Sequence, residues 1–199
     1  MNQIKVEQHE LSSLPTILIS GGGMVGLSVA LLLAQRLAGR ACIKVLEQAS
    51  ARRPATSGGF HPFFDARSTA LSYSTAEVYR ELGIWEALLP GLSAIGSIHV
   101  SRDGRFGSSQ LHAAEQGWDA LGWVGENPWI GQVLLAAVQE NEHIDLHHGQ
   151  KIQEARPTDG GFEVTSSAGA ISAELLIVAD GAFSDLRSRL GITSRREDY

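Results

Sequence analysis

Cysteine is almost missing from this 199-residue chain: Cys42 stands alone, so no internal disulfide forms and packing must hold the fold. That usage fits a reducing, cytoplasmic setting. Cys42 opens an apolar segment and reads as core filler rather than as a nucleophile. Basic residues are also in deficit. Sixteen Lys and Arg stand against 22 Asp and Glu, a formal net charge of −6. Nucleic-acid surfaces must be basic to displace counterions, so that class of partner is excluded. No apolar run is long enough to cross a bilayer; the longest, Met24 to Ala38, is broken by Ser28, Gln35 and Arg36. The Met1–Leu14 lead-in is polar and lacks the basic-then-apolar order of a signal peptide. At 43% hydrophobic and 19% charged, the chain has the composition of a globular domain able to bury one core and a small second lobe.

Glycine is the residue the chain does not lack, and its placement matters most. Leu18-Ile19-Ser20-Gly21-Gly22-Gly23-Met24-Val25-Gly26 lies between a short apolar strand, Thr16 to Ser20, and an Ala- and Leu-rich helix, Met24 to Leu37. In the pattern Gly21-x-Gly23-x-x-Gly26 the first glycine permits a tight turn. The second lets a pyrophosphate approach bare backbone, and the third lets helix and strand pack closely. The phosphates then meet free N–H groups at the positive end of the helix dipole. A glycine run in a linker would share the spacing but not the flanks. A second apolar strand, Cys42 to Leu46, ends in Glu47. That places a carboxylate about twenty residues beyond the last glycine, where one accepts ribose hydroxyls.

The remaining organisation is α/β. A long loop with Arg52, Arg53, Pro54, Gly58, Gly59 and Pro62 runs into Phe63 to Leu71, a length that points to function. A helix is expected from about Ser74 to Leu82, closed by Gly83. Strands at Ile98–Arg102 and Phe106–Leu111 pair around Asp103-Gly104, and Trp129 to Glu140 has the spacing of a one-sided helix. Ile144–His148, Lys151–Arg156 and Phe162–Ser166 read as an antiparallel meander. It leads into Leu175–Ala179, whose continuous apolar run fits a central strand buried on both faces.

That strand runs into Asp180-Gly181-Ala182-Phe183-Ser184. An aspartate at the carboxyl end of a parallel strand lies where ligands bind in open α/β sheets, and Gly181 allows a sharp turn beside it. Ser184 is a plausible N-cap for a final helix, Asp185 to Leu190. Taken alone, the segment is equally a capped strand-to-helix turn with no ligand.

Together, the glycine turn, Glu47, Phe64-Asp65-Ala66-Arg67-Ser68-Thr69-Ala70-Leu71, Gly131-Gln132-Val133-Leu134 and Asp180-Gly181-Ala182-Phe183-Ser184 resemble the class A FAD-dependent aromatic hydroxylases. The nearest branch is that of the ubiquinone-biosynthesis hydroxylases. The resemblance implies a Rossmann-like FAD-binding domain, a parallel sheet with an antiparallel meander, over residues 16–199. Residues 1–15 would be a flexible lead-in, and an insertion around 95–125 would belong to a substrate-side lobe. It also implies that Gly21, Gly23, Met24, Val25 and Gly26 hold the FAD pyrophosphate and Glu47 the adenosine ribose. Arg67 would lie near the flavin or pyrophosphate, Gln132 would contact the flavin, and Asp180 with Gly181 would serve the ribityl region. Glu47 would repel the extra phosphate of an NADP. The implied reaction uses NADH or NADPH as electron donor and dioxygen as co-substrate, and hydroxylates a prenylated phenol. Other ubiquinone-biosynthesis proteins would be its partners, at the inner membrane face. No side chain is assigned as a catalytic acid or base, because the cofactor carries the chemistry. A later Gly-Asp flavin motif and a covering sheet belong to the family pattern and have no counterpart here, so the chain reads as an N-terminal portion, inactive alone. An NAD-dependent dehydrogenase and a non-catalytic dinucleotide-binding module are the alternatives.

Other features read as structural. His147 and His148 are neighbours on a strand and point to opposite faces, which argues against a metal site with His143. Trp118, Trp123 and Trp129 would line a ring or prenyl pocket, or pack a lobe; packing is the favoured reading. Arg187, Arg189, Arg195 and Arg196 are offset by Asp185, Glu197 and Asp198, which suits a solvated helix end.

Overall fold

A computed structural model describes residues 14–50, 67–104, 106–182, 184–193 and 195. The polar lead-in, the loop from Arg52 to Pro62, Phe64 to Ala66, Phe183 and the terminal Arg196 to Asp198 lie outside the described residues. The architecture is α/β, and its spine is a four-stranded parallel sheet in the order β12-β1-β2-β8. Strand β1 is Thr16–Ser20, β2 Cys42–Glu47, β8 Ile144–His148 and β12 Leu175–Val178. Helix α1, Met24–Leu37, crosses between β1 and β2 on one face. Ile17, Ile19, Ile43 and Val45 point to that face and pack on Ala30 and Ala34 of α1. The alternate residues Leu18 and Leu46 point the other way, onto Ile152, Val164 and Ala173. This two-sided burial explains why β1 and β2 are apolar throughout. Ala38 ends α1 in the left-handed region at φ 47°, and its N–H donates to the Ala34 carbonyl at 2.9 Å.

The second face is covered by an antiparallel meander of β9 (Ile152–Thr158), β10 (Gly161–Ser166) and β11 (Gly169–Ala173). This corrects the sequence reading in two ways. Ile144–His148 is not part of the meander; it pairs in parallel with β2, Ile43 opposite Ile144 through Glu47 opposite His148. The third meander strand is Gly169–Ala173, whose glycine and alanines hid its strand character. Among the described residues the segment Leu175–Val178 stands at the end of its sheet rather than at the centre, bonded to β1 alone, with Leu175 44% exposed. Its apolar run reflects burial of the two faces by α1 and the meander, not a neighbour on each side.

A further core gathers the middle of the chain. Strands β3 (Ser68–Ser72), β7 (Gly122–Glu126) and β4 (Leu92–Ile95) form an antiparallel sheet. Around it lie α2 (Tyr73–Glu81), the short α3 (Trp85–Leu88) and α4 (Asn127–Gln139). The Ser72 hydroxyl caps α2 by accepting the Thr75 N–H at 3.2 Å, and Gly83 follows at φ +73°. Trp85 and Trp123 meet edge to face at 4.8 Å, with the Arg80 guanidinium 4.6 Å from the Trp85 ring centre. Trp123 is thus core packing. Trp118 is 43% exposed and stacks on Tyr73 at 4.5 Å, while Trp129 Nε1 donates to the Leu88 carbonyl at 2.9 Å. The three tryptophans therefore do not converge on one pocket. Strands β5 (Ser97–Ser101) and β6 (Ser108–His112) pair as an exposed ribbon, Ser101 opposite Ser108, so its connection is longer than the Asp103-Gly104 turn. Among the described residues no helix is long and apolar enough to cross a membrane.

Candidate functional site

The glycine turn is tied down from both sides. Gly21 N–H donates to the Leu46 carbonyl at 2.8 Å, and Ala179 N–H donates to the Ser20 carbonyl at 2.8 Å. The turn thereby draws the carboxyl ends of β1, β2 and β12 together. Each glycine meets a distinct demand. Gly21 has φ +104°, and a Cβ there would stand 2.5 Å from the Ala179 carbonyl oxygen. At Gly26 a Cβ would lie 1.9 Å from the Gly21 carbonyl oxygen, so helix and strand approach only because the side chain is absent. Gly23 differs: among the described residues a Cβ there would meet nothing within 4 Å. Neither its backbone conformation (φ −76°) nor its protein neighbours require a glycine. Gly23 is also the N-cap of α1, with no capping side chain, so the first turn leaves its N–H groups available to an anion.

Glu47, at the end of β2, curls back over the turn. Its Oε2 accepts the Gly22 N–H at 2.6 Å and its Oε1 accepts the Ala49 N–H at 2.8 Å. Each carboxylate oxygen keeps further lone-pair capacity for ligand hydroxyls.

A cleft of about 350 Å³ opens here, and Gly21, Gly23, Glu47, Asp180 and Gly181 all line it. Gly181 has φ +92°, which gives the chain its sharp turn beyond Asp180. Ser184 then caps α5 (Asp185–Arg189) by accepting the Arg187 N–H at 3.0 Å. Gly26 lies beneath the turn, Met24 packs against the middle core, and Val25 is 67% exposed. Arg67 and Gln132 are not on the cleft wall. Both are exposed, Gln132 on α4 and Arg67 just before β3, where its carbonyl accepts the Asn127 N–H at 2.9 Å. The far wall, missed in the sequence, includes Gln48, Gln150, Lys151, Ile152 and Arg189. Lys151 Nζ lies 3.9 Å from Asp185 Oδ2, and Arg189 donates to the Gln153 carbonyl at 2.5 Å. The available signal was Gly149. Placing β8 in the parallel sheet would have put Gly149-Gln150-Lys151 at the carboxyl edge where ligands bind.

The three histidines do not converge either. His147 Nε2 pairs with Asp145 Oδ2 at 2.8 Å, whereas His148 stands opposite Glu47 in the register. Burial holds the His148 imidazole below its ordinary pKa, and the Glu47 charge opposes that in part.

A family model described as an FAD binding domain matches residues 15–199. The chain belongs to the FAD-binding domain of the class A flavin monooxygenases. It is 30% identical to the ubiquinone hydroxylase UbiM of Neisseria meningitidis, over 92% of this chain and 39% of that protein. It is 32% identical to 3-demethoxyubiquinol 3-hydroxylase of Escherichia coli, over 92% of this chain and 45% of that protein. Among solved structures, p-nitrophenol 4-monooxygenase of Pseudomonas putida superposes with a TM-score of 0.65 at 21% identity, covering 89% of this chain and 44% of that one. That similarity is one of fold. The chain spans less than half the length of the curated relatives it matches.

Proposed function

We propose that this chain is the FAD-holding part of an NADH- or NADPH-using monooxygenase that hydroxylates a prenylated phenol ring in ubiquinone biosynthesis. The observation that carries the cofactor reading is the open space over Gly23, set between the uncapped start of α1 and the Glu47 carboxylate. A pyrophosphate fits there because its oxygens accept the free N–H groups while the dipole favours their charge. Gly21, Gly23, Met24, Val25 and Gly26 contribute that backbone, and Glu47 accepts the adenosine ribose hydroxyls. Asp180 and Gly181 border the same cleft from β12 and would meet the ribityl side. Arg67 and Gln132 would meet the cofactor's flavin end, away from the cleft wall. The insertion around 95–125 is assigned to the substrate side, where the exposed β5–β6 ribbon lies.

Bound FAD would supply the redox chemistry with dioxygen as co-substrate. These residues bind and orient it and limit water at its adenosine end. The ubiquinone branch of the proposal is supported by the two hydroxylases named above, each at 30% identity or more across 92% of this chain. A peripheral position at the inner membrane face, near other ubiquinone-biosynthesis proteins, suits so apolar a substrate.

Two experiments test the levels separately. In calorimetric titration, the chain is expected to bind FAD and not NAD; NAD binding without FAD would favour the dehydrogenase reading. Deleting the gene that encodes this chain should leave an under-hydroxylated ubiquinone precursor, visible by mass spectrometry of quinone extracts. An unchanged quinone pool in the deletion strain would remove the ubiquinone assignment while leaving the FAD site standing.

A further inference from the structure

The cleft wall carries charges that the reading above leaves unused. Glu47, Asp180 and Asp185 stand on it together with Lys151 and Arg189. A pyrophosphate brings further negative charge into that setting, and the positive end of α1 offsets only about half a charge of it. Arg189 is engaged, donating to the Gln153 carbonyl at 2.5 Å. Lys151 is held otherwise. Its backbone is fixed just before β9: the N–H donates to Ser167 Oγ at 3.3 Å, and the carbonyl accepts the Ser167 N–H at 3.0 Å. Its amine lies 3.9 Å from Asp185 Oδ2, an ion pair too long for a hydrogen bond. The two side chains are 48% and 71% exposed, so water screens the pair and it restrains Lys151 weakly. A fixed root, a flexible four-carbon stem and a loose partner leave the ammonium able to change acceptors within the cleft.

We propose that Lys151 is a cofactor-binding residue that exchanges partners: it rests against Asp185 in the free chain and leaves that carboxylate for the pyrophosphate of FAD. The inference rests on the pyrophosphate lying in this cleft. Asp185 is then a competitor rather than a support, because its attraction for the amine is given up when the phosphate arrives. Phosphate oxygens win the exchange by accepting a charge-assisted hydrogen bond, which Asp185 at 3.9 Å does not receive. A merely structural tie between β9 and α5 acts the other way. There Lys151 and Asp185 support the site together, and losing either one weakens it.

Those opposed signs make the test, read as FAD affinity of the 199-residue chain by calorimetric titration. Lys151→Met should bind about tenfold more weakly, the scale of one charge-assisted hydrogen bond. Its affinity should also fall less steeply with added salt than that of the wild type. Asp185→Asn should bind about threefold more tightly, the scale of an exposed ion pair. Added to Lys151→Met, Asp185→Asn should bring no such gain, because Asp185 acts through Lys151. Lys151→Gln repeats the test should Lys151→Met lose its thermal transition. Overturning results are FAD binding by the Lys151 variant as tight or as salt-dependent as in the wild type, an Asp185→Asn affinity unchanged or weaker, or a gain that survives in the double variant. A wild-type chain that binds no FAD would overturn the cofactor reading itself, a distinct failure.

Discussion

The closed and open ends of the proposed cofactor site are built differently. At the closed end, the glycine turn, Glu47 and the Asp180-Gly181 turn converge on one cleft through backbone bonds between β1, β2 and β12. At the open end, Arg67 and Gln132 are exposed on separate elements of the middle core and touch no part of that cleft. The closed end joins the contiguous β1, glycine turn and α1 to β2 and β12, which pair with β1 from farther along the chain. Glu47 there is held by the Gly22 and Ala49 N–H groups without a ligand. The open end depends on where the β3–β7–β4 sheet and α4 are carried. Backbone bonds thus join three strands at the proposed adenosine end, whereas the residues proposed for the flavin end stand on other elements.

The contrast can be broken most forcefully at Gly26. Gly26→Ala places a methyl group 1.9 Å from the Gly21 carbonyl oxygen, so helix and strand must separate. A loss of about 3 kcal/mol in urea unfolding is expected, together with FAD binding. Near wild-type stability would show that the closed end is not tightly packed. Glu47→Ala comes next. It strands the Gly22 and Ala49 N–H groups, expected to cost about 2 kcal/mol of stability and roughly tenfold or more in FAD affinity. Loss of affinity without any loss of stability would mean that the carboxylate does not brace the turn. Gln132→Ala is the mildest. An exposed residue of α4, it should change stability by less than about 0.5 kcal/mol. Its effect on FAD affinity should be a few-fold, read as a smaller change in flavin fluorescence on binding. A stability loss equal to that of Glu47→Ala would erase the distinction between the two ends.

The same division explains what the sequence made legible. Thr16–Ser20, Met24–Leu37 and Cys42–Glu47 were readable because strand, turn chemistry and helix period agree within a local window, and the Ser184 cap likewise. The resemblance then supplied the FAD-binding family, which the match over residues 15–199 shows. Ile144–His148 was misplaced because a five-residue apolar strand carries no mark of its partner. Its pairing with β2 is fixed by contacts across about a hundred residues of chain. Ser68–Ser72 and Gly122–Glu126 escaped notice for a related reason: Ser, Ala and Gly lower their strand character, and only their mutual pairing makes them strands. Gln150 and Lys151 could not be assigned to the cleft until β8 was placed. Long-range pairing was what the sequence left open, and part of the cleft wall depended on it.

The central claim is that Gly23 is a glycine for the ligand rather than for the fold, and one substitution isolates it. With no atom of the described residues within 4 Å of its missing side chain and a φ of −76°, Gly23→Ala should fold with a stability change below about 1 kcal/mol. Calorimetric titration with FAD, run beside a thermal melt, should then show the melting temperature nearly retained and FAD affinity reduced at least tenfold. FAD binding as tight in Gly23→Ala as in the wild type would contradict the account.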